Sequence, residues 1–244
     1  MKLTRDEVLA LMEKMVGKVS AITMRTIRRI INLAMGHQLL GESFSFDMDG
    51  KLDEQVDNLL IEMSDAVIRE IEEAVKDIVD EDDAEKVLLY IRRLIDGKDL
   101  TERMDQHASN LKAILEAYIA LCLTGSKNRA DAIAGALPYI TANKGGFGRG
   151  MNGNPIMGMT VLAQTEIDMG FIRGSLLGFE RDGAVGYQVF RGSNYQCQDC
   201  DDVCFGPNGK RRLYSFQEDI PIPVHPNCVC YALPVYAEDL ISLL

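Results

Sequence analysis

Residues 159–183, MTVLAQTEIDMGFIRGSLLGFERDG, carry apolar side chains at helical spacing. Residues 184–192, AVGYQVFRG, follow without a break and alternate like a strand. This change of period divides the chain into two kinds of text. Downstream of it, RRLYSF (211–216) and CVCYALPVY (228–236) read as two further strands, with Asn208 and Gly209 as a turn signal before the first of them. One helix packed on a small antiparallel sheet that carries the cysteines is therefore expected for residues 156–244.

Upstream, the pattern is helical throughout. Thr4 and Glu7 stand in the capping-box relation, and Val8, Leu11, Met12, Met15, Val19 and Ile22 recur at helical spacing, giving a helix over about 4–35, with Gly17 as a point where it could break and Gly36 placed to end it. A second apolar stripe over about 52–79 has an acidic opposite face. DEDDAEKVLLYIRRLIDG gives a third helix stopping at Gly97, LTERMDQHASNLKAILEAYIALCLTG a fourth stopping at Gly125, and SKNRADAIAGALPYI a short fifth interrupted near Pro138. The expectation is an α+β chain: an acidic all-helical bundle over 1–140, a linker or loop over 141–155, and a small cysteine-rich domain over 156–244. The linker rests on NKGGFGRGMNGNP, with five glycines and one proline in thirteen residues. No Lys-Ser or Lys-Thr pair follows these glycines, so they read as a hinge and not as a phosphate-cradling loop.

Composition narrows the function classes. With 244 residues, 47% of them hydrophobic, the chain has material for a core without covalent staples. The net charge of −11 opposes non-specific attraction to nucleic acid, and the one dense basic run, Lys210 to Arg212, is too short for a phosphate-backbone footprint. Residues 1–140 hold 18 basic and 26 acidic side chains, leaving 8 and 11 for the remainder, so the acidic character belongs mostly to the first part. No apolar run approaches the roughly 18 residues of a membrane span, and the amino terminus lacks the pattern of a signal peptide. A protein kept in a reducing cytosol is expected, where clustered cysteines favour metal binding or catalysis over stable disulfides.

Five of the six cysteines and one of the three histidines fall within CQDCDDVCFGPNGKRRLYSFQEDIPIPVHPNCVC (197–230). Tetrahedral zinc takes four nitrogen or sulfur ligands, commonly as two short-range pairs. Cys197 and Cys200 form one such pair, and His225 with Cys228 or Cys230 forms the other. Cys228 and Cys230 would share a face if they lay on a strand. Structural zinc, reduced thiols packed in a core, and a disulfide are the readings left open by spacing alone. A deaminase-type zinc site is disfavoured, because no Glu stands two residues after His225 and PNCVC has the wrong spacing. A cysteine nucleophile would have His225 as its only nearby histidine, so no catalytic residues are assigned. His37 and His107 read as solvent-facing. Glu166 and Asp168, two apart on a helix, point to different faces and make no acid and base pair.

The order of these features carries a resemblance. A helix with Gln164, Thr165 and Glu166, an alternating strand, CQDC, a turn with Gly209, IPIPV, HPNCVC and finally YALPV resembles the carboxy-terminal domain of phage Mu protein F-like minor head proteins, the head-morphogenesis family of tailed phages. The match covers about residues 155–237. Gln164 and Val229 stand where that family usually has arginine, and Cys204 looks like an addition. The resemblance implies a non-enzymatic protein at the phage head, in the host cytoplasm during assembly and then in the virion. Its implied partners are the portal and capsid proteins, with transient contact to phage DNA and no membrane or small-molecule substrate. It also implies structural roles for Thr165 and Glu166, the latter as a buried carboxylate serving the cysteine loop. The rival readings are a zinc-ribbon nucleic-acid binder, resting on Lys210 to Arg212, and a phage-encoded effector or toxin enzyme.

Overall fold

The computed structural model describes residues 3–36, 45–93, 95, 97–125, 155–192, 196–218, 221–224 and 228–243. Among them are α1 (Arg5–Gly36), a 3₁₀ turn (Phe46–Met48), α2 (Gly50–Ile78), α3 (Glu81–Ile91), α4 (Leu100–Gly125) and α5 (Pro155–Arg181). There follow β1 (Gly186–Phe190), α6 (Gln198–Cys204), β2 (Leu213–Tyr214), β3 (Tyr231–Val235) and α7 (Ala237–Leu243). The chain is α+β, mostly helical, with a small antiparallel sheet and a cysteine cluster in its carboxy-terminal part. The expected fifth helix (126–140) lies outside the described residues. So does the expected linker, except for Pro155, which opens α5 in the position where a missing N–H costs nothing. No described helix is long and apolar enough to cross a membrane.

Local chemistry sets the ends of the helices. The Thr4 amide donates to Glu7 Oε2 at 2.7 Å and the Glu7 amide to Thr4 Oγ1 at 3.4 Å, the reciprocal capping box expected from the sequence. The Thr4 amide, together with the Thr4 hydroxyl that donates to the same Oε2 at 2.8 Å, also holds the Glu7 carboxyl below its ordinary value. Asp99 and Glu102 make a second such box before α4, both bonds at 2.8 Å. Two expectations are corrected. α1 runs through Gly17 without a break, since buried Met12, Met15, Val19 and Thr23 continue the stripe on both sides of it. α3 ends at Ile91 and not at Gly97, which instead takes φ +78 in a turn bridged by Ile95 and Lys98.

The residues group into two compact units, and neither is contiguous in sequence. One holds Val16–Glu70 and Leu94–Val161; the other holds Met1–Met15, Ile71–Arg93 and Leu162–Leu244. This grouping differs from a single bundle over 1–140, because the first turns of α1, the end of α2 and all of α3 belong with the cysteine-rich part. The first unit is helical. Ile27, Ile30, Val56, Met63, Met104 and Leu111 are fully or almost fully buried in it, each stabilising the fold by about 1.5–3 kcal/mol. Lys112 bridges Asp53 and Asp57 at 2.5 and 2.6 Å, and the Phe46 amide donates to Glu116 at 2.6 Å.

In the second unit, α2 and α5 approach closely at Gly170, where an added Cβ would stand 2.7 Å from Val75 Cγ2. The acidic start of α3 finds a cation there: Arg181 reaches Asp83 at 2.9 Å and Asp80 at 3.6 Å. The sheet order is β2-β1-β3, antiparallel, with Tyr187 opposite Tyr214 and Pro234, and Val189 opposite Ala232. Its inner face, carrying Tyr187, Val189, Tyr214 and Ala232, packs with Ile172 and Leu176 of α5 and with four cysteines in one core. The Tyr187 ring is stacked 5.4 Å from Tyr214. Gly186 has to be glycine, since a Cβ there would sit 2.5 Å from the Tyr214 carbonyl oxygen.

Candidate metal centre

The sheet itself carries none of the cysteines. QDCDDVC forms α6, with Cys197 at its N-cap, and Cys228 and Cys230 lie in the segment just before β3. The expected strands are shorter than their apolar runs, because β2 comprises only Leu213–Tyr214 and β3 starts at Tyr231. The turn between α6 and β2 forms as the sequence suggests. Gly209 takes φ +72, its amide donates to the Gly206 carbonyl at 2.9 Å, and Phe205 bridges Arg211. One helical turn separates Cys197 from Cys200, and another separates Cys200 from Cys204, so α6 presents Cys200 and Cys204 together to the core, both buried.

The two segments converge. The Sγ atoms of Cys200, Cys228 and Cys230 lie within 4.8 Å of one another, and all three residues are buried. Zn–S bonds of about 2.3 Å in a tetrahedron place sulfurs roughly 3.8 Å apart, so these thiols need to close in only slightly around an ion. Three soft, apolar-shielded sulfur donors fit a metal of the zinc type. Cys197 and Cys204 fall outside this group, although Cys197 shares a hydrogen bond with Cys200 and Cys204 one with Cys230. His225 lies outside the described residues. Cys197, Cys200, Cys204, Cys228 and Cys230 are thiols without disulfide bonds.

Electrostatics bear on what this cluster can do. Burial pushes the Cys200 thiol up to about 12, helped by its bond to Cys197. Cys230 is pushed up strongly, first by its hydrogen bond with Cys228 and then by burial, and Cys204 is raised by burial. Thiols so raised are poor nucleophiles at neutral pH, since the thiolate is the reactive form. A bound cation reverses this logic by stabilising the thiolates directly. The buried group of Cys200, Cys228 and Cys230 could therefore hold a metal ion.

The surroundings add two residues to which sequence reasoning gave no role at this site. Asp168 on α5 is 1% exposed and accepts a hydrogen bond from Arg5, in the first turn of α1; the same guanidinium donates to the Val229 carbonyl at 3.4 Å. Burial raises the Asp168 carboxyl to about 6, with Arg5 pulling the other way. A cleft of about 260 Å³ lies beside Cys228, walled by Leu9, Met12, Gln164, Thr165 and Asp168. Glu166 is 1% exposed, so it is a buried carboxylate as expected. His107, in the other unit, is half-buried where it was expected to face solvent, and burial lowers its pKa. His37 lies outside the described residues.

The basic run is partly committed to the fold. Arg211 stacks 3.9 Å from the Phe190 ring centroid and donates to the Val189 carbonyl at 3.3 Å, and Arg212 lies over Tyr214 and donates to the Asp202 carbonyl at 3.3 Å. Compared with protein-family models, curated proteins and solved structures, the chain matches none.

Proposed function

We propose that the chain is a non-enzymatic minor head protein of a tailed phage, whose cysteine-rich unit is held by a structural zinc ion and which acts through contacts with portal and capsid proteins. The observation that carries this reading is the meeting of Cys200 with Cys228 and Cys230 in one buried group. CQDC and HPNCVC are the segments on which the resemblance to Mu protein F-like head proteins rests. Three sulfurs come from these segments, and the fourth ligand is sought among Cys197, Cys204 and His225. When bound, the ion would supply charge for the thiolates and a cross-link between α6 and the approach to β3, and would perform no reaction.

Assembly by contact also accords with the electrostatics. The raised Cys200 and Cys230 thiols are poor nucleophiles, while the net charge of −11 favours protein partners over the phosphate backbone. A zinc-ribbon DNA reader would draw on Lys210 to Arg212, and two of those three side chains are engaged with rings and carbonyls of their own unit. The test is co-expression with a tailed-phage portal protein from the same source, followed by size-exclusion chromatography at rising salt. Co-elution with the portal oligomer is expected. Separate elution at every salt concentration, together with a salt-dependent shift of duplex DNA, would replace this reading with the nucleic-acid one.

A further inference from the structure

We infer that Arg5 and Gly192 are positioning residues of the thiol site, acting together on the carbonyl of Val229; the inference rests on the reading of the three thiols as a metal site. Val229 is the single residue between Cys228 and Cys230. Its carbonyl meets two neighbours. The Arg5 Nη2 donates to the Val229 oxygen at 3.4 Å. Gly192 lies so near that a Cβ would fall 1.7 Å from that oxygen and 2.7 Å from its carbon. Only a residue without a side chain fits there.

Arg5 is itself held. Its Nη1 donates to Asp168 Oδ1, and its guanidinium carbon stands 5.3 Å from the centroid of Phe171, one turn along α5 from Asp168. A planar guanidinium can serve a carboxylate and a carbonyl at once, which a lysine ammonium at the same place does less well. The Val229 carbonyl belongs to the peptide that joins Val229 to Cys230, so reorienting it changes ψ of Val229 and φ of Cys230, and with them the direction in which the Cys230 side chain leaves the backbone relative to Cys228. Fixing it restrains how the two sulfurs that face Cys200, those of Cys228 and Cys230, stand relative to each other. The beginning of the chain thus takes part in a site whose sulfurs all come from its end, and Met1–Met15 does group with Leu162–Leu244. Partners that orient metal ligands in this way typically change affinity by about 10–100-fold when removed.

The experiment uses the full chain and four variants: Arg5→Ala, Arg5→Lys, Gly192→Ala, and Arg181→Ala as a control for loss of an ion pair elsewhere in the same unit. Zinc affinity is read by competition with a chromogenic chelator. The reactivity of Cys228 and Cys230 in metal-free protein is read by thiol labelling mapped by mass. Affinity is expected to fall about 10–100-fold in Arg5→Ala and Gly192→Ala and to stay unchanged in Arg181→Ala. Arg5→Lys, which keeps the charge opposite Asp168 and so the fold, is expected to weaken zinc and to speed labelling. Wild-type affinity and wild-type labelling rates in Arg5→Lys and Gly192→Ala would overturn the inference. If the unaltered chain takes up no zinc, the metal reading fails and labelling alone decides: faster labelling in both variants upholds the positioning role, and equal rates end it.

Discussion

Cys200, Cys228 and Cys230 were legible as candidate metal ligands because residue type and short spacing are local properties, and the three do meet in a group that could hold an ion. Arg5 and Asp168 were not, since 163 residues separate them and neither stands in a motif. The reading that Glu166 and Asp168 make no acid and base pair left open what a carboxylate is doing inside an apolar helix. Asp168 answers with a pH dependence. Its folded pKa of about 6 exceeds its ordinary 3.8 because burial outweighs the attraction of Arg5. A carboxyl shifted in this direction favours the protonated folded state, so its contribution is complete below pH 3.8 and is lost as pH rises through about 6. For roughly two pKa units the loss is up to about 3 kcal/mol. Metal-free Asp168→Asn is therefore expected to gain melting temperature relative to the unaltered chain between pH 4 and 7; parallel profiles would contradict this.

At the scale of elements, long helices with a strong apolar stripe were readable, while short elements were not. α2 spans Gly50–Ile78 and α4 spans Leu100–Gly125, near the limits that periodicity and flanking glycines suggested. CQDCDDVC was read as metal-ligand spacing and forms a helix of seven residues, too short for periodicity to stand out. Cys228 and Cys230 were placed conditionally on a strand, yet the ladder begins one residue after Cys230, at Tyr231 opposite Phe190. Apolar alternation marks which side chains face the core, whereas pairing needs a partner strand in register. Two glycines show how backbone context sets the sign of one substitution. Gly17 lies in the helical interior of α1 with nothing within 4 Å of an added Cβ, so Gly17→Ala should stabilise by about 1 kcal/mol. Gly183 also has open space but sits at φ +86 after α5, where its amide and that of Ala184 close the helix end. Gly183→Ala should destabilise by about 1–2 kcal/mol. Chemical denaturation of the two variants checks both signs, and a shift of the same sign in each would show that the left-handed backbone is not the deciding term.

For the whole molecule, fold class was legible because the change from helical to strand period is a property of text; the compact units were not. A long helix reads as one object, but which of its turns belongs to which unit depends on what packs against it. Hence Met1–Met15 and Ile71–Arg93 group with a sheet that lies far along the chain. The account of this molecule turns on the three buried sulfurs. The direct test is metal content per chain with thiol titration, on protein purified under reducing conditions without chelator. The account predicts about one zinc per chain, thiols of the cluster that titrate only after chelation, and loss of structure in the cysteine-rich unit when the ion is removed. Metal-free protein, with every cysteine titrating freely and the unit intact, would contradict it.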